Sequence, residues 1–285
     1  MKYALRALAV LSALFLMVPT LVSAQENTEK TLNILFIGNS YTFYNSLNKT
    51  VGDMLTVSGI PANAERSTPG GWSFKRHFNG ETPEKYNGVP TPEKIKEKKW
   101  DYVVLQEQSS GAIDHHDEFM EYGQKLVGLV RENNPETKVI LYTTWGRCDG
   151  MFEGYGDDEA RKEEVVAAWT KRYSAPDEKT LAQLKTGMYG AYRELQEATG
   201  SLLAPVGKAF LAVGDKMDLY SDEGAQKPHH PNPRGSYLAA CVFFKTITGK
   251  SPVGLWGKLN AAGKDHKVNE EDAAYLGKVA DEVVK

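Results

Sequence analysis

Short apolar runs alternate along the chain with segments whose apolar residues recur at helical spacing. Leu32 to Ile37 is an apolar run of the kind that forms a strand buried on both faces of a parallel sheet. Leu47, Val51, Met54 and Leu55 then follow at helical spacing, and Gly59 ends that helix. Ala62 to Ser67 reads as a second strand and Asp101 to Leu105 as a third. Phe119 to Asn133 is predicted helical, capped by Asp117 and ended by Asn134-Pro135. Lys138 to Thr143 is the fourth strand. A long helix, Leu181 to Thr199, is closed by Gly200, and Leu202 to Val206 is a short fifth strand. Tyr237 to Ile247 and Asp272 to Val284 are the last helices.

Strands that alternate with helices imply a parallel sheet covered on both faces. Right-handed crossovers restrict the topology further. The expected fold is therefore a single α/β domain, a three-layer α/β/α sandwich around a five-stranded, flavodoxin-like parallel sheet. Ligands in such sheets sit beyond the carboxyl ends of the strands. Two stretches interrupt the rhythm. Residues 147–180 carry Gly150, Gly154, Gly156, Pro176 and many charges, and are expected to be an insertion over the strand ends with one helix from Glu159 to Arg172. Residues 221–233 are rich in Pro, His and Gly and form a loop.

The amino-terminal residues stand apart. Lys2 and Arg6 precede an apolar run from Leu8 to Val22, which ends in Val22-Ser23-Ala24. The run is short of the roughly 20 apolar residues that span a bilayer, and its ending suits a signal peptidase. Residues 1–24 are thus read as a signal peptide, with residues 25–285 as the exported, periplasmic or secreted domain, free of the membrane after cleavage. Losing Lys2 and Arg6 takes the formal charge from −3 to −5. That balance, with no basic stripe interleaved with aromatics, argues against nucleic acid as a partner. The two cysteines, Cys148 and Cys241, form no CxxC or zinc-type spacing, and their pairing stays open.

The chemistry-bearing residues fall at the strand tails. Gly38-Asn39-Ser40 follows the first strand. A serine there, beside a helix start, has access to backbone N–H groups that stabilise negative charge, although serine also caps helices; this segment alone leaves both open. Gly70-Gly71 follows the second strand and can present bare N–H groups. Gln106 and Gln108 follow the third and carry amide donors. His230 lies before an apolar helix and is the natural general base for Ser40. Asn39, Trp145 and Arg147 sit on the ligand side as candidate substrate contacts. His77 and His266 are read as surface or capping groups. Adjacent side chains in Asp114-His115-His116-Asp117 do not converge on one ion, so no metal is expected.

Together these blocks resemble the SGNH/GDSL hydrolase superfamily. Ile34 to Ser40 resembles its first block, with Asn39 where many members carry Asp. Gly70 or Gly71 resembles the second-block glycine, and Asp222 to Gly235 the last block. The runs VVLQEQS, LYTTWGR and HPNPRGSYLAACVFF are similar to a mostly exported bacterial branch. The resemblance covers Leu32 to Gly254. It implies a serine esterase acting on a small-molecule or glycan ester, removing acetyl or other small acyl groups without metal or organic cofactor. Ser40 would be the nucleophile and His230 the base, and the oxyanion hole would draw on Ser40, Gly70, Gly71 and one of Gln106 and Gln108, with Gln106 favoured.

Two departures from the superfamily pattern stand out. The third block lacks the usual Gly and Asn. Lys227 also occupies the position, three residues before His230, where the acid is expected. Asp222 is therefore the expected acid, with Glu223 as alternative. A non-catalytic carbohydrate- or cell-surface-binding protein on the same scaffold is the rival reading.

Overall fold

The computed structural model describes residues 30–83, 88–146, 150–221 and 229–285. The chain runs through β1 (Leu32–Ile37), α1 (Ser40–Phe43), α2 (Leu47–Val57), β2 (Ala62–Ser67), α3 (Phe74–Phe78) and α4 (Thr91–Lys96). It continues through β3 (Tyr102–Leu105), α5 (Gly111–Asp114), α6 (His116–Asn133), β4 (Lys138–Tyr142), α7 (Glu159–Arg172) and α8 (Glu178–Thr199). The last part holds β5 (Leu202–Ala204), α9 (Val206–Val213), α10 (Pro233–Thr248), α11 (Leu255–Ala261) and α12 (Glu270–Val283).

The five strands form one parallel sheet in the order β2-β1-β3-β4-β5, the flavodoxin-like arrangement expected of the sequence. Because successive side chains of a strand point to opposite faces, each strand feeds two cores. Ile34, Phe36, Val104, Ile140 and Tyr142 pack with α2, α9, α10 and α12. Leu35, Ile37, Val103, Leu105, Val139 and Leu141 pack with α3, α6 and α8. Helices therefore cover both faces, giving the three-layer α/β/α sandwich. Strand order reverses between β1 and β3, where Ile37 sits in register with Leu105 and, on its other side, with Ser67. The loops after β1, β2 and β3 consequently leave the sheet side by side.

Several boundaries differ from expectation, and capping explains most of them. α6 begins at His116, so Asp117 lies in its first turn rather than capping it. α8 begins three residues early because Asp177 accepts from Thr180 N–H, and α10 begins at Pro233 because Asn232 accepts from Gly235 N–H. The fifth strand stops at Ala204, and Val206 already starts α9. Helices α1, α3, α4, α5, α9 and α11 were not anticipated; each has at most eight residues, too few to show a clear period. No helix among the described residues is long and apolar enough to cross a membrane. The expected signal peptide, Arg147 and Cys148 lie outside the described residues, whereas Cys241 is a fully buried free thiol in α10.

α10 is the centre of the first core. From Tyr237 to Phe244 every residue is buried, so this helix is apolar all round rather than amphipathic. Phe243 sets its ring edge-on to both Phe36 and Tyr142, with centroids 5.3 and 5.0 Å away. Phe243→Ala should therefore destabilise the fold by about 3–5 kcal/mol, read as a shift in the urea unfolding midpoint with little change in slope.

Candidate active site

The turn before Ser40 is built by close approach. The turn Gly38-Asn39 ends β1, and Ser40 opens α1, so its N–H lies ahead of the helix's own hydrogen-bond ladder. Gly38 is glycine for lack of space: a Cβ there would stand 2.6 Å from Gln106 Oε1 and 2.7 Å from Thr42 Oγ1. Its backbone is not left-handed, so steric room, rather than turn conformation, requires the glycine.

Gln106 holds this turn. Its side chain is fully buried, and Oε1 accepts from Asn39 N–H at 3.0 Å and from Thr42 Oγ1 at 2.9 Å. Nε2 donates to Asn39 Oδ1 at 3.1 Å and to the Glu107 carbonyl. Asn39 in turn accepts from Tyr41 N–H, capping α1, and donates through Nδ2 to the carbonyls of Trp72 and Glu107. Two sequence assignments are corrected here. Both Nε2 hydrogens of Gln106 are committed inside the protein, so it is not an oxyanion donor. Asn39 is likewise buried and fully bonded, so it clips the loops after β1, β2 and β3 together rather than touching substrate.

His77 is not a surface or capping group. It is completely buried in α3, with Nε2 2.8 Å from the Gly38 carbonyl and Nδ1 2.7 Å from Thr91 Oγ1. A carbonyl can only accept, so Nε2 carries the proton and Nδ1 accepts from the Thr91 hydroxyl, which lies 2.9 Å from Ser67 Oγ. Burial pushes the imidazole down from its ordinary 6.5 to about 4, which keeps it neutral and preserves that polarity.

His230 reaches Ser40 from the loop before α10. Its Nε2 lies 2.9 Å from Ser40 Oγ. The imidazole stacks on Tyr44 (centroids 4.2 Å, planes 2° apart) and meets Tyr41 edge-on at 5.7 Å. The backbone on both sides of the ring is anchored. Ser221 N–H donates to the His230 carbonyl at 2.9 Å, Asn232 N–H to the Leu219 carbonyl at 2.9 Å, and Tyr220 bridges to Pro231. Asn45 adds bonds from Nδ2 to the Pro231 carbonyl and Ser236 Oγ, both 2.9 Å. To do so it takes a left-handed backbone (φ 51°), which Asn tolerates better than most residues.

Trp145 is corrected as well. It is fully buried, sandwiched between Tyr41 and Phe210, and its Nε1 donates to the His229 carbonyl at 2.9 Å. It buttresses the histidine loop and does not form a substrate wall. Asp222 and Glu223 lie outside the described residues. Gly70 and Gly71 are exposed, and Gly70 lies beside the Phe43 ring of α1, 3.9 Å from where its Cβ would be. Gln108 is part-buried, with Nε2 donating to Ser109 Oγ at 2.9 Å. Of the Asp114–Asp117 run, His116 pairs with Glu194 and Asp117 with Lys179. No group among the described residues could hold a metal ion.

Glu107, between the two glutamines, had no assigned role. It is buried, its Oε2 accepts from Phe74 N–H at 2.8 Å and its Oε1 from Gln108 N–H at 2.6 Å. Burial raises its carboxyl from 4.5 to about 7. A charged residue inside an otherwise polar-amide run was the available signal.

A five-stranded parallel sheet in the order 2-1-3-4-5 with helices on both faces is a three-layer α/β/α fold, and Ser40 and His230 meet at its carboxyl edge. Solved structures agree on that fold. A protein from Slackia heliotrinireducens, provisionally described as an SGNH hydrolase, is 22% identical, with TM-score 0.54, over 76% of this chain and 100% of its own. A DUF4886 family protein from Bacteroides uniformis is 18% identical, with TM-score 0.60, over 90% of this chain and 95% of its own. No family model and no curated protein matches the sequence.

The neutral His77 makes a pH-dependent contribution to stability. Its folded value is depressed, so the contribution is present above the ordinary 6.5 and is lost as pH falls toward about 4. His77→Phe should cost about 1–3 kcal/mol at pH 7.5 by leaving the buried Gly38 carbonyl without its donor, while the Thr91 hydroxyl keeps its contact with Ser67. The gap between variant and wild type should narrow by about 2 kcal/mol at pH 5, as measured by urea unfolding at both values.

Proposed function

We propose that this protein is a serine-dependent ester hydrolase, and the observation that carries the reading is the 2.9 Å approach of His230 Nε2 to Ser40 Oγ at the strand-order switch. His230 Nε2 takes the hydroxyl proton as Ser40 Oγ attacks the ester carbonyl carbon. The tetrahedral oxyanion is held by the Ser40 N–H, an N–H of Gly70 or Gly71, and the Gln108 amide, the remaining side-chain candidate once Gln106 is committed below the turn. Protonated His230 then donates to the departing alkoxide, and a water activated by the same imidazole releases the acid and frees Ser40.

The acid of the triad is Asp222, with Glu223 as alternative. Support comes from connectivity: Ser221, the residue before Asp222, donates its N–H to the carbonyl of His230 itself. The substrate class is a small acyl ester, acetyl foremost, carried on carbohydrate outside the cytoplasm. That part rests on the sequence blocks shared with the exported branch and on the Val22-Ser23-Ala24 ending. It requires no metal or organic cofactor.

A fluorophosphonate probe and 4-nitrophenyl acetate test the reading. The wild-type protein should label at Ser40 and turn over. Ser40→Ala should abolish labelling and lower turnover by several orders of magnitude with the circular dichroism spectrum unchanged. A wild-type protein that neither labels nor hydrolyses would overturn the hydrolase reading and leave the non-catalytic binding alternative. Asp222→Asn should reduce turnover well beyond the effect of Glu223→Gln; equal, small effects would reduce the site to a Ser-His dyad.

A further inference from the structure

We infer that Glu107 is a positioning residue for the proposed hydrolysis, its carboxylate tying the Gly70–Ser73 loop and the Gln108 loop into register around Ser40. The inference rests on the hydrolase reading. Three elements of the proposed oxyanion hole meet on this one residue. Its Oε2 accepts from Phe74 N–H, at the end of the glycine loop, and its Oε1 from Gln108 N–H. Its own carbonyl accepts from Asn39 Nδ2, next to the nucleophile. Its backbone N–H donates to Tyr192 Oη of α8 at 3.0 Å, which fixes the residue from behind. Space is reserved for the carboxylate as well: a Cβ on Gly111 would lie 2.9 Å from Glu107 Oε1.

Only an ionised carboxylate suits this arrangement. Both oxygens face N–H donors, so protonating one replaces an acceptor with a donor and releases one loop. The group has access to solvent protons through a cavity of about 210 Å³ that it lines with Ser73, Gln108, His115 and Phe119. The groups facing it are Lys75 of α3, His115 and Glu118 at the start of α6, and Tyr192 of α8; Lys75 and Glu118 neutralise each other as an ion pair at 2.8 Å. Burial, with a smaller contribution from Glu118, raises the carboxyl to about 7, so it changes state close to neutral pH. Its loss of charge then adds to protonation of the base on the acid side of the rate profile.

The test is the pH dependence of kcat for 4-nitrophenyl acetate in wild type, Glu107→Gln, Glu107→Asp and Ser40→Ala. Wild type should fall on the acid side with a log–log slope above 1 over the range in which Glu107 loses its charge, returning to 1 below it. Glu107→Gln, which can accept from only one of the two N–H groups, should lose about 10- to 100-fold in kcat at pH 8 with KM little changed, and its acid limb should have slope 1. Glu107→Asp keeps a carboxylate and should retain the steeper limb with intermediate kcat; it carries the test alone should the Gln variant not fold. A Gln variant with wild-type kcat, or an Asp variant or wild type whose acid limb has a slope of 1 throughout, overturns the positioning role while leaving the hydrolase in place. Wild-type turnover equal to that of Ser40→Ala defeats the hydrolase reading itself, and this inference with it.

Discussion

The buried carboxamide of Gln106 accepts two hydrogen bonds on its oxygen and gives two from its nitrogen, and the candidate site depends on that one group. It binds the backbone and side chain of Asn39, and Asn39 binds the loops after β2 and β3. A carboxamide is the smallest side-chain group that can do both at once. The contact excludes even a methyl group from Gly38. The turn before Ser40 is thus held by a network in which every partner is satisfied, the condition under which buried polar groups rigidify a structure rather than weaken it.

Two titratable groups flank this network, and they respond to pH in opposite senses. His77 is pushed down to about 4 and supports the turn as a neutral donor; Glu107 is pushed up to about 7 and supports the neighbouring loops as an acceptor. For His77, stability is lost as pH falls. For Glu107, whose folded value is raised above the ordinary 4.5 because burial makes its ionisation costly, stability falls as pH rises toward 7, although the ionised form is the one that accepts from both N–H groups. The windows overlap, so the two effects offset each other between about 4.5 and 6.5. A flat stability profile there would be a balance of burial costs, not an absence of them.

The histidine side of the site is organised by different physics. His230 is placed by flat aromatic surfaces and by backbone bonds on both sides of it, with Trp145 and Asn45 as the side chains that bear on its loop. Tyr44, the residue that follows α1, gives the ring a stacking face four residues beyond Ser40.

The sequence by itself determined the layers, the strand order class and the pairing of Ser40 with His230. Apolar runs of strand length mark a buried parallel sheet, and the blocks at the strand tails lie where such a sheet gathers its loops. It could not determine which way the side chains in those tails face. Gln106 and Gln108 are equivalent by residue type, and both follow the third strand. Only the packed structure turned Gln106, Asn39 and Trp145 inward, buried His77 under Gly38 and gave Glu107 two donors. The reason is physical: periodicity along a chain records how much surface each element buries, whereas hydrogen-bond partnership depends on residues tens of positions apart, and those meet only after the sheet has closed.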